Sequence, residues 1–347
     1  MKSMTELIIF FQIEYPMLVA EMRVATHHLT NADTQNVEIN IVGNHNSHPI
    51  NLNPYHLEGN IWEHTLLVCK QAENTSYEVQ IAALLHDIGK PSTRKVNPKN
   101  GNVSFYNHDA VSAFMSLEIL KRPELNLNKE QQIRIFNMIA LHTQIYKLSI
   151  DQLSKIGNSE LLGGLIELGT ADHAGRFHSK GDAVIPKLGD ILFELAEPRE
   201  TTKEVVILCG LPNGGKSTSI KNLDLFKVSR DGCLSAEAMM RDVKPYSKSN
   251  QKHIDKLLQE RFKESKNHAN VVVDMTHMSK KSRRRTLSHY GSEYKKKCVM
   301  FLPDLNTIFD RNTKRKGKVM SEDVIQKMIR SYYPPTHEEF DEIEYVL

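Results

Sequence analysis

The sequence predicts two domains in series: a mainly helical one over residues 1–198 and an α/β one with a parallel sheet over residues 203–347. Three observations predict this. At 347 residues the chain is about twice an ordinary domain, and each half is long enough to bury its own core. In the first half apolar residues recur at i, i+3 and i+4, the period of a helix with one buried face. In the second half short β-branched runs alternate with helical stretches, the pattern of parallel strands joined by crossover helices.

Taken in order, residues 1–60 give little periodicity; Val37 to Val42 reads as a strand and Asn44 to Asn53 as a polar loop. Ile81, Leu84 and Leu85 predict a helix that finishes near His86 and Asp87, before Gly89-Lys90-Pro91. Asn128, with Gln131 three residues later, reads as a capping pair opening a helix that runs through Ile135, Phe136 and Ile139 to His142. Leu161, Leu165, Leu168 and Asp172 share one face of another helix. After Pro198-Arg199-Glu200-Thr201-Thr202 the period changes. Val205 to Leu208, Val271 to Val273 and Cys298 to Leu302 suit strands buried on both faces.

With 40% apolar and 25% charged residues, neither a collagen-like nor a largely disordered chain is expected. The net charge of +3 hides an asymmetry: 17 Lys+Arg face 23 Asp+Glu through Glu200, whereas 28 face 19 beyond it. The second half is therefore the one expected to meet phosphates or nucleic acid. Cys69, Cys209, Cys233 and Cys298 form no Cys-x-x-Cys pair, so they read as reduced intracellular thiols. The apolar run Leu7 to Phe11 is too short for a secretory core or a membrane span, and a cytoplasmic protein is expected.

Gly210-Leu211-Pro212-Asn213-Gly214-Gly215-Lys216-Ser217 fits G-x-x-x-x-G-K-[ST] and directly follows a predicted strand, the context that motif requires. Gly210, Asn213, Gly214, Gly215 and Thr218 would shape a cradle of backbone N–H groups for the phosphates of ATP. Lys216 would supply a cation at the β/γ-phosphates and the Ser217 hydroxyl a ligand for Mg2+. Val228-Ser229-Arg230-Asp231 reads as a short strand ending in a carboxylate; Asp231 could take a proton from an attacking hydroxyl and Arg230 could neutralise phosphate, or the two could form a plain ion pair. Arg311 and Arg315 stand at i, i+4 in a cationic run reaching Lys318, a candidate lid over ATP.

Together these features resemble the phage-type polynucleotide 5′-kinases over residues 203–335, including Asp274-Met275-Thr276-His277 and Arg283-Arg284-Arg285. The resemblance implies Asp231 as general base and Arg311 with Arg315 as the lid. The sequence departs from that pattern at Leu234, where an arginine for the acceptor-strand phosphate is often found; Arg241 or the run from Lys280 to Arg285 are candidate substitutes. Asp274 either holds magnesium through water or caps its strand.

The first half carries His64, His86-Asp87, His108, His142 and Asp172 in order, a pattern that resembles the HD phosphohydrolase superfamily over residues 50–195. The strings Tyr55 to His64, Leu85 to Pro91 and Ala171 to Arg176 carry the likeness, and it implies an all-α HD-type helical domain. Imidazoles and carboxylates suit one or two divalent transition metals such as Mn2+, with Asp87 bridging to a second metal on His108 and His142. Lys90, His56 and Arg176 are candidate contacts to substrate phosphate; His173 and His178 read as surface residues.

An HD domain followed by a P-loop kinase resembles the bifunctional end-healing enzymes called HD-Pnk. That implies a 5′-hydroxyl polynucleotide kinase joined to a 2′,3′-phosphatase, acting on RNA or DNA ends ahead of a separate ligase. Two other readings stand beside it: a phosphohydrolase/kinase of small nucleotides, and a non-catalytic ATP-gated sensor of RNA ends.

Overall fold

A computed structural model describes residues 1–28, 30, 56, 58–99, 101–177, 185, 201–241, 251–315 and 319–347, with the side chains of 236–241 left aside. The expected strand at 37–42, the loop at 44–53, residues 198–200, His178, the Arg241 side chain and Lys316 to Lys318 lie outside the described residues. The chain divides into two compact units, Met1–Phe193 and Glu194–Leu347.

The first unit is helical. Helices α1 (Met4–Glu14) and α2 (Pro16–Val24) open it, over residues that show no clear period; Ser3 and Glu6 form a reciprocal capping box on α1. Next come α3 (Ile61–Gln71), boxed by Asn60 and Glu63, and α4 (Tyr77–Leu85), which ends with His86 as its C-cap, as the spacing predicts. Val79, Ile81, Ala82, Ala83, Leu84 and Leu85 are all buried, so α4 is apolar around most of its circumference. It packs against α7 (Lys129–Leu141) and α9 (Ser159–Ala174), with α3 alongside. The Asn128–Gln131 box and the buried stripe Leu161, Leu165, Leu168 and Asp172 both appear where expected. A short α5 (Lys90–Thr93), a two-stranded hairpin of β1 (Lys95–Val96) and β2 (Val103–Ser104), α6 (His108–Leu120) and α8 (Ile150–Ser154) complete the unit.

The second unit is a five-stranded, wholly parallel sheet in the order β4-β5-β3-β6-β7, built from β3 (Lys203–Gly210), β4 (Phe226–Ser229), β5 (Asn270–Asp274), β6 (Tyr294–Phe301) and β7 (Glu342–Val346). Between them run α10 (Lys216–Ser219), α11 (Arg230–Arg241), α12 (Gln251–Ser265), α13 (Lys280–Leu287), α14 (Leu305–Thr313) and α15 (Glu322–Arg330). Strand β3 is central, with Val205, Ile207, Leu208 and Cys209 buried. After β3 the chain crosses to β4 and β5 on one side and then to β6 and β7 on the other. The strand order thus reverses beside β3, the place where open α/β sheets bind ligands at their carboxyl ends.

Candidate functional site

In the first unit five chain segments deliver the predicted ligands to one place. His64 comes from α3, His86 and Asp87 from the end of α4, His108 from the first turn of α6, His142 from the cap of α7 and Asp172 from the last turn of α9. Two sets, His64, His86 and Asp172 on one side and Asp87, His108 and His142 on the other, each bring their ligand atoms within 4.8 Å of one another. Asp87 stands between them. Its Oδ2 lies 3.1 Å from His86 Nε2 and 3.5 Å from His64 Nε2, while its Oδ1 lies 3.2 Å from His108 Nε2 and 3.8 Å from His142 Nε2. A carboxylate presenting one oxygen to each pair of imidazoles is placed to bridge two cations.

The chemistry of this donor set fits metal. The Nδ1 atoms of His86, His108 and His142 lie 2.7–2.8 Å from the carbonyls of Ala83, Phe105 and Ile139. A carbonyl only accepts, so each Nδ1 donates, and in the neutral ring Nε2 is left as a bare lone pair. His108 and His142 then point lone pairs at each other across 3.2 Å, and His86 Nε2 is buried without a hydrogen-bond partner among the described residues. Such an arrangement repels itself unless a cation lies between. Burial pushes the His142 imidazole down to about 3, reinforced by His108 and His86, so it stays neutral and available as a ligand. Burial alone would raise both carboxyls, but His86 and Lys90 hold Asp87, and Arg176 and His64 hold Asp172, well below the ordinary range. At His64 burial works against charge, yet Asp172 and Glu58 outweigh it and raise the imidazole's affinity for a positive partner.

Over these ligands opens a pocket of about 320 Å3 lined by His56, Asp87, Lys90, His108, His142, Asp172 and Arg176, together with Phe105, Tyr106 and Tyr146. Lys90, expected to meet phosphate, is buried with Nζ 2.7 Å from Asp87 Oδ2 and 3.1 Å from His27 Nε2. Arg176 lines the pocket with its guanidinium on the Asp172 carboxylate, and His56 lies 2.7 Å from Glu58 Oε1. Sequence reasoning missed three participants. Glu58 sits 2.9 Å from His64 Nδ1 and so orients a ligand; the Tyr146 hydroxyl donates to Asp172 Oδ2 at 3.0 Å; His27 stacks on His56 with centroids 4.1 Å apart. Glu58 lies within the Tyr55–His64 string but carries no ligand spacing of its own, and Tyr146 and His27 meet the site only through the fold. The close approach of α6 to the end of α4 needs Gly89, because a Cβ there would lie 2.6 Å from Ser112 N and 2.9 Å from His108 O.

In the second unit the glycine loop turns between β3 and α10, with Asn213 at φ +64° and Gly215 at φ +97°. A cleft of about 740 Å3 is lined by Asn213, Gly214, Gly215, Lys216, Ser217 and Thr218, and also by Arg230, Asp231, Asp274, Arg311 and Arg315. Lys216 Nζ donates to the carbonyls of Gly210 and Leu211 at 2.9 and 2.8 Å; burial pushes its ammonium down to about 8. The Ser217 hydroxyl donates to the Asp274 carboxylate, so the two expected magnesium-side groups are neighbours. A second groove, of about 850 Å3, shares Ser217, Asp231 and Asp274 with the cleft and continues along Lys227, Gly232, Ser235 and Arg261. Asp231 therefore stands in the wall common to both.

Several expectations are corrected here. Gly210 does not line the cleft; its φ of +135° lets the chain pass where a Cβ would meet Phe301 O at 2.7 Å. Asp231 does not end a strand but belongs to the first turn of α11. Arg230 is engaged by Asp255 Oδ1 and Gln251 Oε1, both at 2.7 Å. Helix α14 stops at Thr313, so Arg311 and Arg315 do not share a helical face although both reach the cleft; Arg311 donates to Asn213 O at 3.1 Å. Leu234 is buried. In the basic run, Arg283 is no surface cation: it is fully buried, pairs with Glu339 Oε2 at 2.7 Å and donates to the carbonyls of Tyr333 and Pro334. Lys280 and Arg284 both pair with Glu338.

Comparison with known proteins finds two successive matches along the chain. Residues 61–207 match the HD domain family and residues 205–335 an AAA domain family. A CC-adding tRNA nucleotidyltransferase from Thermus thermophilus is 28% identical over 163 residues, 44% of this chain and 37% of its own. Among solved structures, a chain of the Pnkp1/Rnl/Hen1 RNA repair complex is 23% identical with a TM-score of 0.32 over 40% of this chain and 46% of its own. A sugar kinase from Janibacter sp. HTCC2649 is 14% identical with a TM-score of 0.30 over 42% and 84%. The chain thus spans less than half the length of the tRNA nucleotidyltransferase and of the repair-complex chain. Along the chain a stretch similar to HD domains is thus followed by one similar to AAA domains.

Proposed function

We propose that the chain heals broken RNA ends in the cytoplasm, one domain (1–198) removing 2′,3′-cyclic, 2′ or 3′ phosphate and the other (203–347) phosphorylating a 5′-hydroxyl, so that a separate ligase can join them. The observation that carries the reading is the coexistence of two sites. One chain holds a histidine–aspartate pocket suited to two cations and a P-loop cleft that opens, at Asp231, onto a second groove. The first suits removal of phosphate, the second its transfer. The tRNA nucleotidyltransferase relative, an enzyme of tRNA by its name, supports RNA over a small nucleotide.

In the first site His64, His86, Asp87, His108, His142 and Asp172 would hold the metals. A divalent ion there supplies a hydroxide nucleophile near neutral pH. The chain's own part is to aim four imidazoles, to hold two carboxylates ionised, and to present Lys90 and Arg176 toward the phosphate.

In the second site ATP and Mg2+ supply the phosphoryl group and part of its charge neutralisation. The backbone of Asn213 to Thr218 cradles phosphates, Lys216 neutralises them, and Ser217 with Asp274 faces the metal side. Arg311 and Arg315 approach from the far wall. Asp231, facing both spaces, accepts the proton of the acceptor hydroxyl.

The test is to incubate the purified protein with ATP, magnesium, manganese and an RNA bearing 5′-hydroxyl and 3′-phosphate, and to follow both termini. Asp231→Ala should lower 5′ phosphorylation by about 10²–10⁴-fold and spare the 3′ reaction; Asp87→Ala should do the reverse. Equal turnover of mononucleosides and oligonucleotide ends would overturn the RNA assignment.

A further inference from the structure

The turn that brings His108 to the metal pocket also brings an aromatic ring to its mouth. The β1–β2 hairpin runs directly into Phe105-Tyr106-Asn107-His108. Asn107 adopts the left-handed conformation, φ +60° and ψ +28°, and the His108 ring donates back to Phe105 O at 2.7 Å. The four residues therefore form one closed turn, and its backbone is held close to the candidate metal ligands.

Within that turn Phe105 faces inward. Its ring lies 5.4 Å from His27, and the Lys90 ammonium lies 5.5 Å from its centroid. Tyr106 does the opposite: it lines the same pocket yet is 74% exposed. The same pocket carries Lys147, which is exposed and has no ion-pair partner among the described residues, whereas Lys90 and Arg176 are held by Asp87 and Asp172. At about 320 Å3 the pocket lies near the small end of ligand sites, which run from roughly 300 to 1,000 Å3. Phosphate and ribose would take up much of that volume, leaving a base at the mouth. An aromatic face beside an unpaired cation is how single strands are gripped without regard to sequence, because every base offers a π-face.

We infer that Tyr106 is the stacking platform for the base of the nucleotide bearing the phosphate to be removed, and that Lys147 holds the next internucleotide phosphate. The pocket is thereby matched to single-stranded RNA ends over small phosphate esters. The inference rests on the phosphohydrolase reading above and names its substrate contacts.

Release of phosphate from three substrates tests it: a short RNA with a 3′-phosphate, the same RNA with an abasic terminal nucleotide, and glycerol phosphate. Tyr106→Ala should raise KM for the first by roughly tenfold and leave glycerol phosphate hydrolysis unchanged, while Tyr106→Phe stays near wild type. The abasic end should cost the wild type a similar factor and Tyr106→Ala nothing further. Lys147→Ala should flatten the dependence of log KM on log salt by roughly 0.7. If Tyr106→Ala retains the wild-type preference for a base-bearing end over an abasic one, the stacking role is wrong even though the phosphatase stands. If the wild type releases phosphate from none of the three, the phosphohydrolase reading falls, and this inference with it.

Discussion

The two phosphate sites are assembled by opposite means. In the first unit the candidate ligands are side chains from five helices or their ends, nearly all buried, each imidazole fixed by a short hydrogen bond to a backbone carbonyl or by Glu58. In the second the site is mostly backbone, a loop at the end of a central strand, and two of its polar groups are already engaged: Lys216 donates to two carbonyls and Ser217 to Asp274. The first site gathers buried imidazoles and carboxylates whose donor atoms suit cations. The second is at rest by itself and exchanges internal contacts for ligand contacts. Preorganisation therefore falls on the metal site, and adaptation on the nucleotide site.

The sharpest way to break that contrast is Asp87→Asn. The amide keeps the volume but loses the charge facing four imidazoles, so both cations should be lost and phosphate release should fall below detection, with 5′ phosphorylation unchanged. Elemental analysis of bound manganese alongside both activities checks it. Retained metal with lost activity would make Asp87 a reactant instead of a bridge.

Next in size is Arg283→Ala, which removes one partner of a fully buried pair and leaves Glu339 and two carbonyls without donors. The second unit should lose about 3–5 kcal/mol of stability in a denaturant titration. The first unit and its phosphate release should be indifferent.

Arg283 also shows where sequence reading stops. In the chain it stands in a run of three arginines and looks like its neighbours, yet the C-terminal segment around Tyr333 to Glu339 closes over it alone. A charge run carries no mark of which member a distant segment will cover. By contrast the histidine–aspartate cluster was legible, because adjacent His86-Asp87 at a helix end and single histidines at later helix caps are local facts, and the Asn128–Gln131 box fixes where α7 starts and hence where His142 falls. The glycine loop was legible for the same reason, since its conformation is set within eight residues. Glu58, Tyr146 and His27 were not, because they act through long-range contacts: Glu58 to the Phe177 backbone N–H as well as His64, Tyr146 to Asp172. Helix α1 escaped detection because Leu7 to Phe11 is continuous apolar sequence, which shows no period to read.

A smaller effect sharpens the claim that orientation is built in. Glu58→Gln leaves all six ligands in place and removes only the charge behind His64 Nδ1, so manganese affinity should fall by about 10–100-fold and activity should return at high metal. A loss that excess manganese does not restore would place Glu58 in the reaction itself.

The mildest prediction concerns the adaptable site. Burial depresses Lys216 to about 8, and the nearby carboxylates only partly oppose it, so below that value the free protein already carries the cation and above it does not. Bound triphosphate favours the charged form, hence ATP binding takes up a proton at alkaline pH. The sign follows: ATP affinity should be flat between pH 6 and 7 and weaken as pH rises through about 8, at most about tenfold per unit, since each unit is worth 1.36 kcal/mol. Equilibrium titration with ATP across that range would show the bend. Lys216→Met should bind weakly at every pH without it, and a bend that persists in that variant would move the titrating group elsewhere in the cleft.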